Sequence, residues 1–238
     1  MSIHLLGGGW ADDESAWTGR FVAEARERAE VPPAIVCVLW AEDAEEGERW
    51  HGDYRDDLTK LCAGEVRIVQ LGPDRELRPT DLGNADGIFV GGGLTPGYHR
   101  AIMPAADTIR GLVASGLPYA GYSAGAMIAG EVALLGGWRI GGVPVCPEAS
   151  SEKLDEVTLD AGLGLVDLVV DVHAAQYGNL SRAVAIVHAG LADRVVAIDE
   201  CTSLVVGTAG LVVAGEGSVW TVEREADTER VSVAVLAA

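Results

Sequence analysis

Apolar residues in this chain come in short unbroken runs, and between the runs they recur every three or four positions. Ile3 to Leu6, Ala34 to Trp40, Val66 to Leu71, Asp86 to Val90 and Leu117 to Tyr122 are runs of strand length. The second is wholly apolar, as a strand covered on both faces must be. Residues 14–30 carry Trp17, Phe21, Val22 and Ala25 at helical spacing, and Val31-Pro32-Pro33 stops that helix. The acidic segment up to Cys62 reads as a second helix. A third helical stretch reaches Ser115-Gly116, with Ile102, Ile109, Leu112 and Val113 as its apolar residues. Pro104 either starts the regular part of that stretch or kinks it. Strands alternating with helices predict a doubly wound, mostly parallel α/β sheet in three layers, with its site at the carboxyl edge of the strands.

The last third has a different rhythm. Val166 to His173 is a strand ending at a histidine, Leu180 to His188 is helical with Val184 and Val187 inward, and Val195 to Glu200 is a strand ending in acids. The short runs Leu204–Val206, Leu211–Val213 and Ser218–Val222 are separated by glycines, which predicts C-terminal β-hairpins. No internal repeat and no long linker interrupts the chain, so residues 1–238 are expected to form one α/β domain.

Charge narrows the partners. Lys and Arg total 17 against 36 Asp and Glu, a formal net charge of −19. So acidic a chain is repelled by nucleic acid and by anionic membrane surfaces. The acids cluster in Asp12-Asp13-Glu14 and between Ala41 and Asp57, where a solvated face is the expectation. No run is long enough for a membrane span and no signal peptide is visible at Met1. The four cysteines, Cys37, Cys62, Cys146 and Cys201, lack metal-ligand spacing, and Cys37 is expected to be a buried free thiol. A cytoplasmic protein without metal or organic cofactor is expected.

Chemistry concentrates in Leu117 to Met127. Gly121-Tyr122-Ser123-Ala124-Gly125 follows a strand and opens a helix, the pattern of a nucleophile elbow. The elbow lifts the serine oxygen above the sheet edge, at a helix N-terminus whose free N–H groups can stabilise negative charge. A serine nucleophile needs a base, and the base needs an orienting group. Of the five histidines, His4 and His188 lie in apolar runs and His51 in the acidic segment, whereas His99 and His173 lie near predicted loop ends. His173 is preferred, because it ends a strand. Backbone N–H groups of Gly92 or Gly93 and of Ala124 are the expected oxyanion donors. Gly7-Gly8-Gly9 lacks the spacing of a phosphate loop and reads as a turn.

Four segments together resemble the dipeptidase E and cyanophycinase family of serine peptidases: Phe89 to Gly93, Ala120 to Ala126, Asp171-Val172-His173, and Ile198 to Val206. The resemblance runs from Ile3 to about Val213. It implies a class I glutamine-amidotransferase-like, flavodoxin-like fold, Ser123 as nucleophile and His173 as general base. Glu200 matches an acid proposed for the family as third member, with Glu131 and Asp171 as the other candidates. Leu94, Thr95 and Tyr98 after the glycines, and Gln176 and Arg182 after the histidine, are the expected substrate contacts. Leu94 stands where the family usually has Asn or Asp. Tyr177 and Asn179 stand where cyanophycinases carry arginines, which argues against cyanophycin as substrate. A small peptide is the expected partner, and a homodimer stays open. Two other readings compete. An α/β-hydrolase-type esterase would use Ser123, Asp171 and His188. A family member that had lost catalysis would bind a small peptide-like ligand. Glutamine amidotransfer is disfavoured, since the elbow carries serine where that chemistry uses cysteine.

Overall fold

The apolar runs of the first half become β1 (Ser2–Leu6), β2 (Ala34–Trp40), β3 (Glu65–Leu71), β4 (Gly87–Val90) and β5 (Tyr119–Tyr122). The computed structural model describes residues 2–29, 32–208, 210–226 and 228–237. Glu30 and Val31, where the sequence places the end of the first helix, lie outside them. The five strands are parallel neighbours in the order β1-β5-β4-β2-β3. β12 (Thr202–Gly207) adds antiparallel to β1, and β13 (Gly210–Gly215) adds antiparallel to β12. The sheet is therefore mostly parallel, with one hairpin on its edge.

Side-chain alternation divides this sheet into two buried faces. Ile35, Cys37, Leu39, Phe89, Ala120 and Tyr122 pack under α1 (Ser15–Arg28) and α2 (Ala44–Cys62). Val36, Val38, Trp40, Ile88, Val90 and Tyr119 face α3 (Thr95–Ile102), α4 (Ala106–Ala114) and α5 (Ala124–Met127). Helices on both faces give the three-layer arrangement. The Asp43 side chain caps α2 by accepting from the Glu46 N–H at 2.9 Å. The single helix expected up to Ser115 is two. Pro104 has no N–H to donate, and α3 and α4 are separated by a 3₁₀ turn at Met103–Ala105.

The chain after α5 departs from a single doubly wound sheet. β6 (Val132–Gly136) pairs with β9 (Thr158–Ala161), and β7 (Arg139–Ile140) with β8 (Val143–Pro144), in an excursion the apolar pattern did not announce. β10 (Val169–Val172) and β11 (Arg194–Ile198) are parallel to each other but belong to a second sheet. That sheet continues through β14 (Ser218–Arg224) and β15 (Val231–Ala237). The reason is at the edge of the first sheet: β12 occupies the side of β1 that β10 would need. The β12–β13 hairpin is as expected, but β14 crosses to β11, and its own hairpin partner is β15. α6 (Leu180–His188) covers the second sheet with Arg182, Ala183, Ile186 and Val187 inward, while Val184 is half-buried. No helix of the described residues is long and apolar enough to cross a membrane.

One buried group works against this fold. Glu14, before α1, is 7% exposed, makes no side-chain cap, and its Oε1 meets no hydrogen-bond donor among the described residues. Burial, then the nearby Asp57 carboxylate, pushes its pKa up from 4.5 to about 7. The folded state therefore holds a proton that the unfolded chain releases above about pH 4.5, so stability falls as pH rises from there to about 7. Glu14→Gln is expected to raise stability by on the order of 2 kcal/mol at pH 8 and by little at pH 4.5. Urea unfolding at the two pH values checks this; equal effects at both would contradict it.

Candidate active site

β4, β5 and β1 end side by side, and the turns leaving them build the site. Ser123 follows β5 at φ 50°, ψ −107°, a conformation costly for a residue with a Cβ. Its backbone N–H donates to the Leu6 carbonyl at 2.9 Å. The turn is tight because Gly125 lies on the end of β4: a Cβ there would stand 2.3 Å from the Val90 carbonyl oxygen. α5, which follows, spans only Ala124–Met127. A macrodipole of one turn is small, so the charge stabilisation expected from the helix reduces to local N–H groups.

His173 comes from the second sheet, one residue past β10, at φ 53°. Its N–H donates to the Gly7 carbonyl at 3.2 Å, which stitches the end of β10 to the end of β1. Ser123 Oγ lies 2.9 Å from His173 Nε2, and His173 Nδ1 lies 2.7 Å from Glu200 Oε1. The Glu200 N–H donates to Gln176 Oε1 at 3.0 Å. Gln176 thus lies behind the acid. Tyr177 stacks on the imidazole, with centroids 4.5 Å apart and planes at 15°. Gly8 makes room for the ring: at φ +88°, a Cβ there would stand 2.3 Å from His173 Cε1. The turn read only as strand punctuation is thus the seat of the imidazole.

The other acids and histidines are elsewhere. Asp171 is fully buried and grips Arg182, with Oδ2 accepting from Nε at 2.8 Å and Oδ1 from Nη2 at 2.6 Å. Glu131 lies beside Val132, Asp167 and Arg194 in a separate hollow. Neither contacts His173. His188 is exposed at the end of α6, not packed inside, and Asp171 faces Arg182, so the residues of the esterase arrangement are not assembled. His99 turns to the Ala161 carbonyl, His51 to Gln70, and His4 is buried beside Glu24.

The expected oxyanion donors need one revision. The Gly92 N–H already donates to Tyr54 Oη at 2.8 Å, and the Tyr98 hydroxyl donates to the Gly92 carbonyl at 2.9 Å. Both polar groups of Gly92 are held by tyrosines. The N–H groups of Gly93 and Ala124 meet no acceptor among the described residues. Tyr98 is fully buried behind the loop, so it positions the glycines and does not reach a substrate. Thr95 is also buried; its N–H donates to Glu152 Oε2 at 2.9 Å. Leu94 packs on the core.

Ser123, His173 and Glu200 open into a pocket of about 500 Å³. One wall is a stripe of α2, Glu46, Trp50 and Tyr54, spaced four residues apart. This stripe lay unread within the acidic segment, although its spacing was visible. Trp10 joins it, stacked on Trp50 with centroids 6.4 Å apart and edge-on to Tyr54 at 4.9 Å. Glu152 also lines the pocket; burial pushes its pKa up although the Thr95 N–H favours its charged form. Arg182 is in the pocket wall too, but only 1% exposed. Its Nη1 donates to the carbonyls of Gly137 and Ser150, at 3.1 and 2.7 Å. Burial opposes its charge, yet Asp171 more than offsets this and its pKa is raised. Among the described residues no group of three His, Cys, Asp or Glu could hold a metal ion.

A model of peptidase family S51 matches residues 33–212. The chain belongs to peptidase family S51. The match takes in the glycine loop, the Ser123 turn, His173 and Glu200. The fold is also similar to the crystal structure of a candidate peptidase E from Listeria monocytogenes EGD-e, with a TM-score of 0.56 over 91% of this chain and 98% of that one, at 16% identity. At that identity the likeness concerns the fold. Among curated proteins none matches.

In this family member, the Asp171–Arg182 pair is sealed from water. Arg182→Leu strands a buried carboxylate and is expected to cost about 3–5 kcal/mol in urea unfolding. Adding Asp171→Asn should recover part of that loss. A single substitution costing under about 1 kcal/mol would show that the pair is solvated, as surface pairs are.

Proposed function

We propose that this family S51 member is a serine peptidase that hydrolyses small peptides, with Ser123 as nucleophile, His173 as general base and Glu200 as the orienting acid. The observation that carries the reading is the hydrogen-bonded sequence from Ser123 Oγ through His173 to Glu200 Oε1, at 2.9 and 2.7 Å, at the mouth of a pocket. Nucleophile, base and orienter stand within hydrogen-bond reach of one another, which is the arrangement acyl transfer needs.

The reaction follows from these positions. Ser123 Oγ attacks the scissile carbonyl carbon while His173 Nε2 takes its proton. The imidazolium is stabilised by Glu200 through Nδ1–H. The oxyanion that forms is received by the N–H groups of Ala124 and Gly93. Of the two glycines expected to serve, Gly93 is the one left, because the Gly92 N–H is committed to Tyr54. His173 then gives the proton to the leaving amine, and water hydrolyses the acyl-enzyme by the same route in reverse. The strained backbone of Ser123 supports the reading, since such strain at a pocket mouth aims the side chain outward. Four free thiols support a reducing, cytoplasmic setting.

A serine-directed fluorophosphonate is expected to add one adduct to the wild-type protein, read by intact-protein mass spectrometry. Ser123→Ala should abolish the adduct and any peptide turnover with folding intact. Glu200→Gln should keep the fold and lower kcat by about 10⁴, the size of loss seen when the orienting acid of a triad is neutralised or removed. A folded wild-type protein that forms no adduct would sink the proposal.

A further inference from the structure

The pocket beside Ser123 has an unusual charge inventory. Among its described lining residues Arg182 is the one permanently cationic side chain, and it is spent. Nε and Nη2 are on Asp171, and both Nη1 donations go to backbone carbonyls. Glu46 and Glu152, by contrast, have no basic partner within ion-pair distance among the described residues. Each carboxylate has one oxygen engaged, by the Glu42 N–H and the Thr95 N–H respectively, and one left over.

The aromatic wall has the matching character. Trp10 and Trp50 are 42% and 44% exposed at the pocket rim, and their planes are within 4° of parallel. Large indoles left open to solvent mark a contact surface. Indole faces beside unpaired carboxylates attract ammonium and guanidinium groups. An acidic side chain would meet neither a free guanidinium nor a neutral wall here. Past the tryptophan pair lies a hollow lined by Asp12, Asp53, Asp56 and Asp57 against one cation, Lys60, which is paired with Asp57, so the surface there stays net acidic. The net charge of −19 draws cationic molecules to the whole surface.

We infer that the substrates are small peptides carrying a lysine or arginine side chain, seated against Trp10 and Trp50 with its charge toward Glu46 or Glu152. This deepens the peptidase reading and rests on it. An acidic side chain would find no free guanidinium among the described residues of the same lining.

The test separates the two claims. Dipeptides pairing Ala with Lys, Arg, Ala or Asp, on either side of the scissile bond, are given to the wild-type enzyme, and kcat/KM is compared. The same peptides are titrated into the Ser123→Ala protein, with binding followed by tryptophan fluorescence. Lys and Arg peptides are expected to exceed Ala and Asp peptides about tenfold or more in both readouts, the size of one cation–π contact. Trp50→Ala and Glu46→Gln should each erase most of that preference, and rising salt should narrow it. Turnover that favours Asp peptides, or treats Lys and Ala alike, overturns the inference and leaves the peptidase standing. Selective binding of Lys and Arg peptides by a protein that hydrolyses none overturns the peptidase reading instead. Binding of none of the peptides overturns the inference.

Discussion

The bidentate contact between Asp171 and Arg182 sets where the site can be. Asp171 sits near the end of β10 and Arg182 on the first turn of α6, so the pair fixes the loop between them. His173, Gln176 and Tyr177 all lie in that loop. The second amino group of the guanidinium reaches the carbonyls of Gly137 and Ser150, which ties in the excursion between the two sheets. Such a pair is a weak source of net stability, because two charges must be stripped of water. Its contribution is geometric: separating the pair strands a buried charge, so arrangements of the loop that part Asp171 from Arg182 are costly. The imidazole is therefore placed by a contact it does not touch.

The rest of the site is a set of tight turns held by parallel strands. Ser123, His173 and Cys201 each have φ near +50°, and each stands just past a strand or just before one. Conformations of this kind cost about 1–3 kcal/mol each and persist only when their surroundings over-determine them. Here they do. Ser123 is held by the Leu6 carbonyl, His173 by the Gly7 carbonyl and Cys201 by the Gly8 carbonyl, so one turn after β1 accepts from all three segments. The residues after β1 thus act as a shared template, and a side chain on Gly8 would occupy the space of the imidazole.

That template shows what a sequence does and does not disclose. The parallel strands were legible because a strand buried on both faces must be apolar throughout, as Ala34 to Trp40 is. Ser123 and His173 stood out as strand-end residues of the right chemistry, and Glu200 only through the family resemblance; the structure brings the three side chains together. The second sheet was not legible, because strand pattern reports burial and not which neighbour a strand takes; β10 is as fully buried as β4. The role of Gly7-Gly8-Gly9 was not legible either, since glycine signals space without saying what fills it. Which of Gly92 and Gly93 has a free N–H was not legible for a related reason. The availability of Gly92 as a donor depends on Tyr54, 38 residues away, and no local rule links the two.

The acidic segment of α2 carries the same lesson further. A run of Asp and Glu reads as a solvated face, and most of α2 is one. Yet a helix displays a different stripe every hundred degrees, and the stripe of Glu46, Trp50 and Tyr54 faces the pocket. Two of those residues are aromatic, which a purely solubilising face has no need of. Because Tyr54 also accepts the Gly92 N–H, α2 reaches the glycine loop through a neutral hydroxyl, and it lines the same pocket with the Glu46 carboxylate. One helix thus supplies both the hydroxyl that supports the glycine loop and an acidic group in the lining of the same pocket.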